Sequence, residues 1–219
     1  YTLIMNKHNN IVAQQYDIIY KSFDTSRVRI WNNVKKFLDV TTSSKTLLDC
    51  GCGNGKNMVY ANTQGYICEG FDISNNLLDI CNEKNLNVFY SDVLNFKTNK
   101  KYDKIIAIAV LHHLETVQEQ FLAIENLINC LNSNGKLLVS FWSKEKFFND
   151  VNNNKSDSRD FVVGANYVDW KLDKSTIIKR YYYIHDYQSV SELAKSFNID
   201  YNISWEMQNW FITFTKNDI

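Results

Sequence analysis

The chain has 219 residues, of which 45% are hydrophobic, 14% aromatic and 22% charged. That is enough to bury one sizeable α/β core, and it excludes disordered, collagen-like and low-complexity classes. Lys and Arg (24) balance Asp and Glu (24), so any hold on a polyanion must come from a local basic face. No apolar run reaches the roughly 18 residues of a membrane span, and residues 1–10 are polar rather than signal-like. Five cysteines, odd in number and without zinc-finger spacing, read as reduced thiols; the expectation is a cytoplasmic protein with no bound metal and no membrane contact.

In chain order, residues 10–22 and 30–40 have amphipathic helical spacing and are joined by residues 23–29. Residues 45–51 (KTLLDCG) form an apolar run into glycines, followed by a short helix near 56–64. A second strand at 66–73, a helix at 75–85, a third strand at 87–92 and a fully apolar fourth at 104–111 come next. Residues 116–131 read as a helix with Phe121, Ile124, Leu127, Ile128 and Leu131 on one face, and residues 136–142 as a fifth strand. Strands alternating with helices predict a doubly wound, mostly parallel α/β sheet covered on both faces. Residues 144–159 are polar and Asn-rich and read as a loop. A strand at 176–184, a helix at 187–197 and β-like segments at 200–206 and 209–215, joined by a hairpin at Met207-Gln208, complete the chain. The expected organisation is one domain, 1–219: an N-terminal helical cap (1–44), a core (45–143), a variable loop (144–175) and substrate-side strands and helix (176–219).

The segment Asp49-Cys50-Gly51-Cys52-Gly53-Asn54-Gly55 sets three glycines at alternate positions between a strand and a helix. Glycine there lets a ligand approach the backbone closely. A nicotinamide fingerprint would place its third glycine at Lys56, so a dinucleotide is disfavoured. The pattern, an acidic residue and then G-x-G-x-G, resembles motif I of class I S-adenosylmethionine-dependent methyltransferases. The resemblance implies a seven-stranded Rossmann-like sheet with N-terminal helices and a C-terminal hairpin, and a cofactor cradle of Asp49, Gly51, Gly53, Asn54 and Gly55. Asp72 ends the second strand, where a carboxylate can accept both hydroxyls of a ribose, and Asp92 ends the third, near where the family holds the adenine. Either aspartate alone also reads as a helix N-cap or loop residue. Ile73, Val93 and Ala109 neighbour these strand ends and complete the expected cofactor contacts.

The fourth strand leads into His112-His113. Three further segments resemble the tRNA wobble-uridine carboxymethyl methyltransferases, a family that includes a domain fused to an AlkB-type oxygenase in animals. Tyr16-Asp17 through Phe23 to Trp31 (FDTSRVRIW) resembles that family's N-terminal signature, F-S-x-T-R-Y-K-P-W, with Arg27 and Trp31 matching, Arg29 replacing lysine, and Val28 and Ile30 replacing tyrosine and proline. Tyr167-Val168-Asp169-Trp170 resembles its V-P-W segment, Arg180-Tyr181-Tyr182-Tyr183 its R-Y-Y-H with Tyr183 in place of histidine, and Gln208-Asn209-Trp210 its D-N-W. The resemblance implies S-adenosylmethionine as cofactor and the anticodon stem-loop of tRNA as substrate. It also implies a small zinc-binding activator protein docking on the edge formed by the third strand.

A methyl ester forms when an already ionised carboxylate attacks the sulfonium methyl in line, so no general base is needed. Only four arginines stand among twenty lysines, and arginine alone offers a two-pronged fork for a carboxylate or phosphate. Arg27 and Arg180 are therefore the expected substrate-positioning residues, with Arg29 next. His112 or His113 would orient substrate or shape the pocket. Trp31, Trp170, Trp210, Tyr181 and Tyr182 could stack an unpaired base, although alternation along a strand lets only one of the two tyrosines face the site. The competing readings are a small-molecule carboxylate, phenol or quinone O-methyltransferase, and a non-catalytic subunit that keeps the fold.

Overall fold

A computed structural model of the chain describes residues 7–39, 45–145 and 160–217. Two helices, α1 (Lys7–Ser26) and α2 (Asn32–Asp39), precede β1 (Thr46–Cys50), α3 (Lys56–Thr63), β2 (Ile67–Asp72), α4 (Asn75–Glu83), β3 (Val88–Tyr90) and β4 (Tyr102–Ala107). A 3₁₀ turn at Leu111–His113, α5 (Val117–Asn129), β5 (Leu131–Trp142), β6 (Gly164–Lys171), β7 (Ile177–Ile184), α6 (Tyr187–Lys195), β8 (Asp200–Glu206) and β9 (Asn209–Thr215) follow.

Seven strands form one sheet in the order β3-β2-β1-β4-β5-β9-β8. The first five are parallel, and β9 and β8 close the far edge antiparallel. Successive strand residues point to opposite faces, and the central strands are apolar on both. Leu48, Ile105 and Leu137 pack under α5 and α6, while their neighbours Leu47, Ile106 and Leu138 pack under α2, α3 and α4. Strand β1 pairs with β2 on one side and β4 on the other, so the winding direction reverses there. A crevice opens at the carboxyl ends of strands flanking such a reversal.

The expected fold class, the seven-stranded sheet, the edge position of β3 and the C-terminal hairpin are all present. Three assignments differ. Helix α1 runs through Ser26, taking in half of what the sequence suggests is a connector, because Tyr16 and Phe23 continue its buried face. Helix α5 stops at Asn129, and Leu131, at helical spacing from Leu127, instead opens β5 opposite Tyr102. The third lies at residues 164–171, expected as part of the variable loop but forming β6. This strand pairs antiparallel with β7 as a separate two-stranded ribbon, so β7 stands outside the main sheet. Only Val168 of β6 is buried, which leaves too little apolar alternation to read as a strand. The polar loop reading falls on residues 146–159, which lie outside the described residues. Among the described residues no helix is long and apolar enough to cross a membrane.

The β8–β9 hairpin turns through Met207 (φ 45) and Gln208 (φ 60), both left-handed. Two-residue hairpins of this hand favour Asn-Gly, since side chains with a Cβ strain there by about 1 kcal/mol or more. The turn is nonetheless held: Ser143 N donates to the Gln208 carbonyl at 3.0 Å, and Glu206 accepts the amides of Asn32 and Asn33 at 2.9 and 2.8 Å, capping α2. The double substitution Met207→Asn, Gln208→Gly should raise unfolding stability by about 1 kcal/mol. An unchanged or lower denaturation midpoint would show that the native side chains stabilise the turn by contacts outweighing the strain.

Candidate functional site

The crevice widens into a cavity of about 550 Å³. Its floor is the glycine turn after β1. Gly51 (φ 65) sits against Val110 so closely that a Cβ would overlap that side chain, and Gly53 (φ 57) faces Phe23. The turn is tied to β2 by Asp72, whose Oδ2 accepts from Gly53 N at 2.8 Å while Oδ1 accepts from Ser74 N at 2.9 Å. Burial pushes the Asp72 carboxyl up from its ordinary value, and the amides of Ser74, Gly53 and Ile73 oppose the shift. Asp92, at the end of β3, accepts from Asn9 Nδ2 at 2.6 Å and from Leu94 N at 3.0 Å.

Helix α1 forms the opposite wall. Asn9 reaches Asp92, Tyr16 reaches His113, Asp17 accepts from Ser74 Oγ at 2.6 Å, and Asp24 accepts from Asn54 Nδ2 at 2.8 Å. These residues recur about every seven positions, the spacing of one face over two helical turns.

Gly51, Gly53, Asn54, Asp72, Ile73, Asp92, Val93 and Ala109 all line the cavity, as do Arg27, Arg29, His113 and Arg180. Asp49, Gly55, His112 and Tyr181 do not. Asp49 is fully buried behind the turn with neither oxygen hydrogen-bonded, and its carboxyl is pushed up to about 8 by burial, then by Asp72. Gly55 caps α3, where a Cβ would collide with Leu86 and Cys81. His112 is fully buried and stacks on Tyr182 at 4.4 Å, and burial pushes it well below its ordinary range. Of the adjacent tyrosines, Tyr182 faces the cavity and Tyr181 faces away, donating its hydroxyl to the Glu115 carbonyl at 2.9 Å. Trp31 also lines the cavity, whereas Trp210 donates to Glu145 at 2.9 Å outside it.

Arg180 is 4% exposed, with its guanidinium 4.7 Å from the Trp170 ring and 5.1 Å from that of Tyr182. Its one hydrogen bond among the described residues runs from Nη1 to Tyr16 Oη at 3.4 Å, and its buried Nε has no acceptor. Arg27, exposed at the rim, covers the Trp170 ring at 5.2 Å. His113 Nδ1 lies 3.0 Å from the Tyr181 carbonyl and Nε2 lies 2.8 Å from Tyr16 Oη. Burial, with Arg180 adding to it, pushes His113 down to about 3, so the ring is neutral.

Sequence reasoning assigned no site role to Asn9, Tyr16, Lys56, Gln208 and Asn209, which line the same cavity, although Tyr16, Gln208 and Asn209 lie in the segments that carry the family resemblance. The seven-residue recurrence in α1 is the signal that points to the first two. Lys56 stands where a third fingerprint glycine would be, and burial, with Arg27 nearby, lowers its affinity for a proton.

The donor set fits a nucleoside-type cofactor: a backbone cradle closed to side chains at Gly51, one carboxylate within reach of a diol and a second at the neighbouring strand end. Residues 21–188 match the profile of a family described as a methyltransferase domain. A tRNA (carboxymethyluridine(34)-5-O)-methyltransferase of Arabidopsis thaliana is 36% identical over 136 residues, covering 62% of this chain and 33% of its own length. The enzyme of the same description from Saccharomyces cerevisiae is 30% identical over 175 residues, covering 77% of this chain and 59% of its own. The chain thus spans about a third of the first of these relatives and under two thirds of the second. The solved DhpI-SAM-HEP complex superposes with a TM-score of 0.72 at 10% identity, covering 96% of this chain and 98% of that one, a likeness of fold.

Asp49 yields a test with a defined sign. Its folded value of about 8 lies above the ordinary 3.8, so the folded state holds a proton that the unfolded state releases. Stability therefore falls as pH rises through the interval between the two values, by at most about 1.4 kcal/mol per pH unit. Asp49→Asn, which cannot ionise, should raise the melting temperature of the cofactor-free protein more at pH 8 than at pH 5. A gain equal at both values would mean that Asp49 is already ionised and paired in the fold.

Proposed function

The chain belongs to the methyltransferase-domain family, and from that premise we propose that it transfers the methyl group of S-adenosylmethionine to the carboxymethyl carboxylate of 5-carboxymethyluridine at the tRNA wobble position. The observation that carries this reading is the Arg180 guanidinium. It is buried between two rings with its Nε hydrogen unspent and no carboxylate of the described residues opposing it. An uncompensated buried charge of that kind is costly unless a ligand completes it. Nη1 is occupied by Tyr16, which leaves Nε and Nη2, whose hydrogens point the same way, as a fork for the two oxygens of a carboxylate. The names of the relatives supply the substrate: each of the two described above acts, by its name, on carboxymethyluridine at position 34.

The chain's residues divide the work. Gly51, Gly53, Asp72 and Asp92 hold the donor. When bound, S-adenosylmethionine supplies an electrophilic methyl on a positively charged sulfur. Arg180 strips water from the acceptor carboxylate and fixes its angle, with Arg27 at the rim beside it. An acceptor carboxylate held there would take the methyl group as the S–CH₃ bond breaks, leaving S-adenosylhomocysteine, and no side chain of the site would have to move a proton. Trp31 offers a ring face against which an unpaired base can lie, whereas the Tyr182 ring is already covered by His112 and the Arg180 guanidinium. The edge strand β3, with Phe89 39% and Tyr90 40% exposed, is the face we assign to an activator subunit of the kind the sequence resemblance implies. All five cysteines are unpaired and buried, which supports a reducing, cytoplasmic setting.

Incubating tRNA that carries unesterified 5-carboxymethyluridine with the protein and S-adenosylmethionine should yield the methyl ester nucleoside by mass spectrometry. Conversion of free carboxylic acids alone would favour a small-molecule enzyme, and conversion of neither would overturn the reading. Arg180→Lys keeps the charge and loses the fork, so turnover should fall by about tenfold or more with cofactor affinity unchanged. Wild-type rates in that variant would remove Arg180 from the substrate site. With His113 neutral and no general base used, the transfer rate should be flat from pH 6 to pH 8; a limb near neutrality would assign a proton transfer to the chemical step.

A further inference from the structure

The hydrogen atoms around Tyr16 can be placed by elimination. A backbone carbonyl only accepts, so His113 Nδ1, 3.0 Å from the Tyr181 carbonyl, carries the ring proton and donates it there. The neutral ring then presents Nε2 as an acceptor, and the Tyr16 hydroxyl at 2.8 Å must be its donor. With its hydrogen committed to His113, Tyr16 has only lone pairs left to offer elsewhere, and Arg180 Nη1 stands 3.4 Å away with hydrogens to give. The sequence of donors ends on one side at a strand carbonyl, and on the other the lone pairs of Tyr16 face the guanidinium and the Tyr182 hydroxyl, both of which have hydrogens to give.

We propose that Tyr16 is a positioning residue: its hydroxyl, oriented by His113, takes one end of the Arg180 guanidinium and thereby turns the Nε edge toward the substrate carboxylate. The guanidinium lies against the Trp170 and Tyr182 rings, but such contacts are weakly directional and let it pivot about its tether to the chain. A directed acceptor at Nη1 removes that freedom, and Tyr16 is the hydrogen-bonding partner Arg180 has among the described residues. Helix α1 delivers it from outside the sheet, held there by Asn9, Asp17 and Asp24. This inference rests on the substrate reading above for its consequence in turnover, and on geometry alone for the direction of the hydrogen bonds.

A double-mutant cycle on tRNA carrying 5-carboxymethyluridine tests it, with Tyr16→Phe, Arg180→Met and the pair. Tyr16→Phe should lower kcat/KM by about tenfold or more, the loss of one hydrogen bond to a charged group, with S-adenosylmethionine affinity by calorimetry unchanged. Because Tyr16 acts through Arg180, adding Tyr16→Phe to Arg180→Met should cost no more than about twofold beyond Arg180→Met alone. Losses that multiply would overturn the positioning role and leave Tyr16 as wall. Nitrogen NMR of the ¹⁵N-labelled wild-type protein should find His113 neutral and protonated at Nδ1, and a proton on Nε2 would overturn the relay whatever the substrate. If the wild-type protein fails to methylate the tRNA, the substrate reading falls, and the His113 tautomer still decides the hydrogen-bond direction.

Discussion

The wall that helix α1 gives the cavity depends on one buried hydrogen bond and its repeats along the helix. Asn9 donates to Asp92 at 2.6 Å with both side chains almost fully enclosed, and the same helix contacts His113, Ser74 and Asn54 further along. Open α/β sheets leave the carboxyl ends of their strands uncovered, and a helix laid across them needs polar fasteners because the strand ends are polar. A hydrogen bond to a charged group contributes about 1.5–3 kcal/mol, and leaving such a group buried and unpartnered costs at least as much. Helix α1 thus satisfies the strand ends and, in doing so, brings Tyr16, Phe23 and Arg27 to the cavity wall.

The charges divide along the cavity. Asp72 and Asp92 stand at the ends of β2 and β3, and Arg27, Lys56 and Arg180 gather toward α1 and the β6–β7 ribbon. The acids are spent on backbone amides and Asn9, whereas Arg180 keeps an unused donor. A site so arranged accepts a ligand rich in hydroxyl and amine groups at one end and an anion at the other. The closing of such a cavity around both raises the worth of each electrostatic contact, because water no longer competes.

Much of this was legible in the sequence, and the rest was hidden for identifiable reasons. The parallel core could be read because β1 and β4 are apolar on both faces, and the glycine turn and strand-end aspartates that line the cavity because their spacing carries a direct backbone meaning. Arg27 and Arg180 stood out through the scarcity of arginine. Asp49, Gly55, His112 and Tyr181 show the limit of such reading: a motif marks residues that build a site without saying which of them face it. Asp49 and Gly55 shape the turn from behind, and His112 and Tyr181 support His113 and Tyr182, their neighbours in sequence. Strand β6 was illegible because it buries one side chain, and the role of Tyr16, although it lies in a family-like segment, could not be read because its contacts are more than ninety residues away.

Strand β5 explains how the site tolerates strained backbone next to the reacting groups. Ala109, at the end of β4, has φ 59, a conformation uncommon for any residue but glycine, and its amide is held by Ser140 Oγ of β5 at 2.8 Å. The Met207-Gln208 turn is likewise left-handed and is held through Ser143, just past the end of β5. Both strained segments border the cavity, and both are fastened to serines three apart in the chain, one on β5 and one directly after it, where the strand runs in the interior of the sheet. In-line transfer of a methyl group requires donor and acceptor at near-attack distance, so a wall that drifted by an ångström would cost rate. Anchoring two walls to the same rigid strand makes their separation a property of the core, while the conformational strain exposes backbone and side chain to the ligand at those positions.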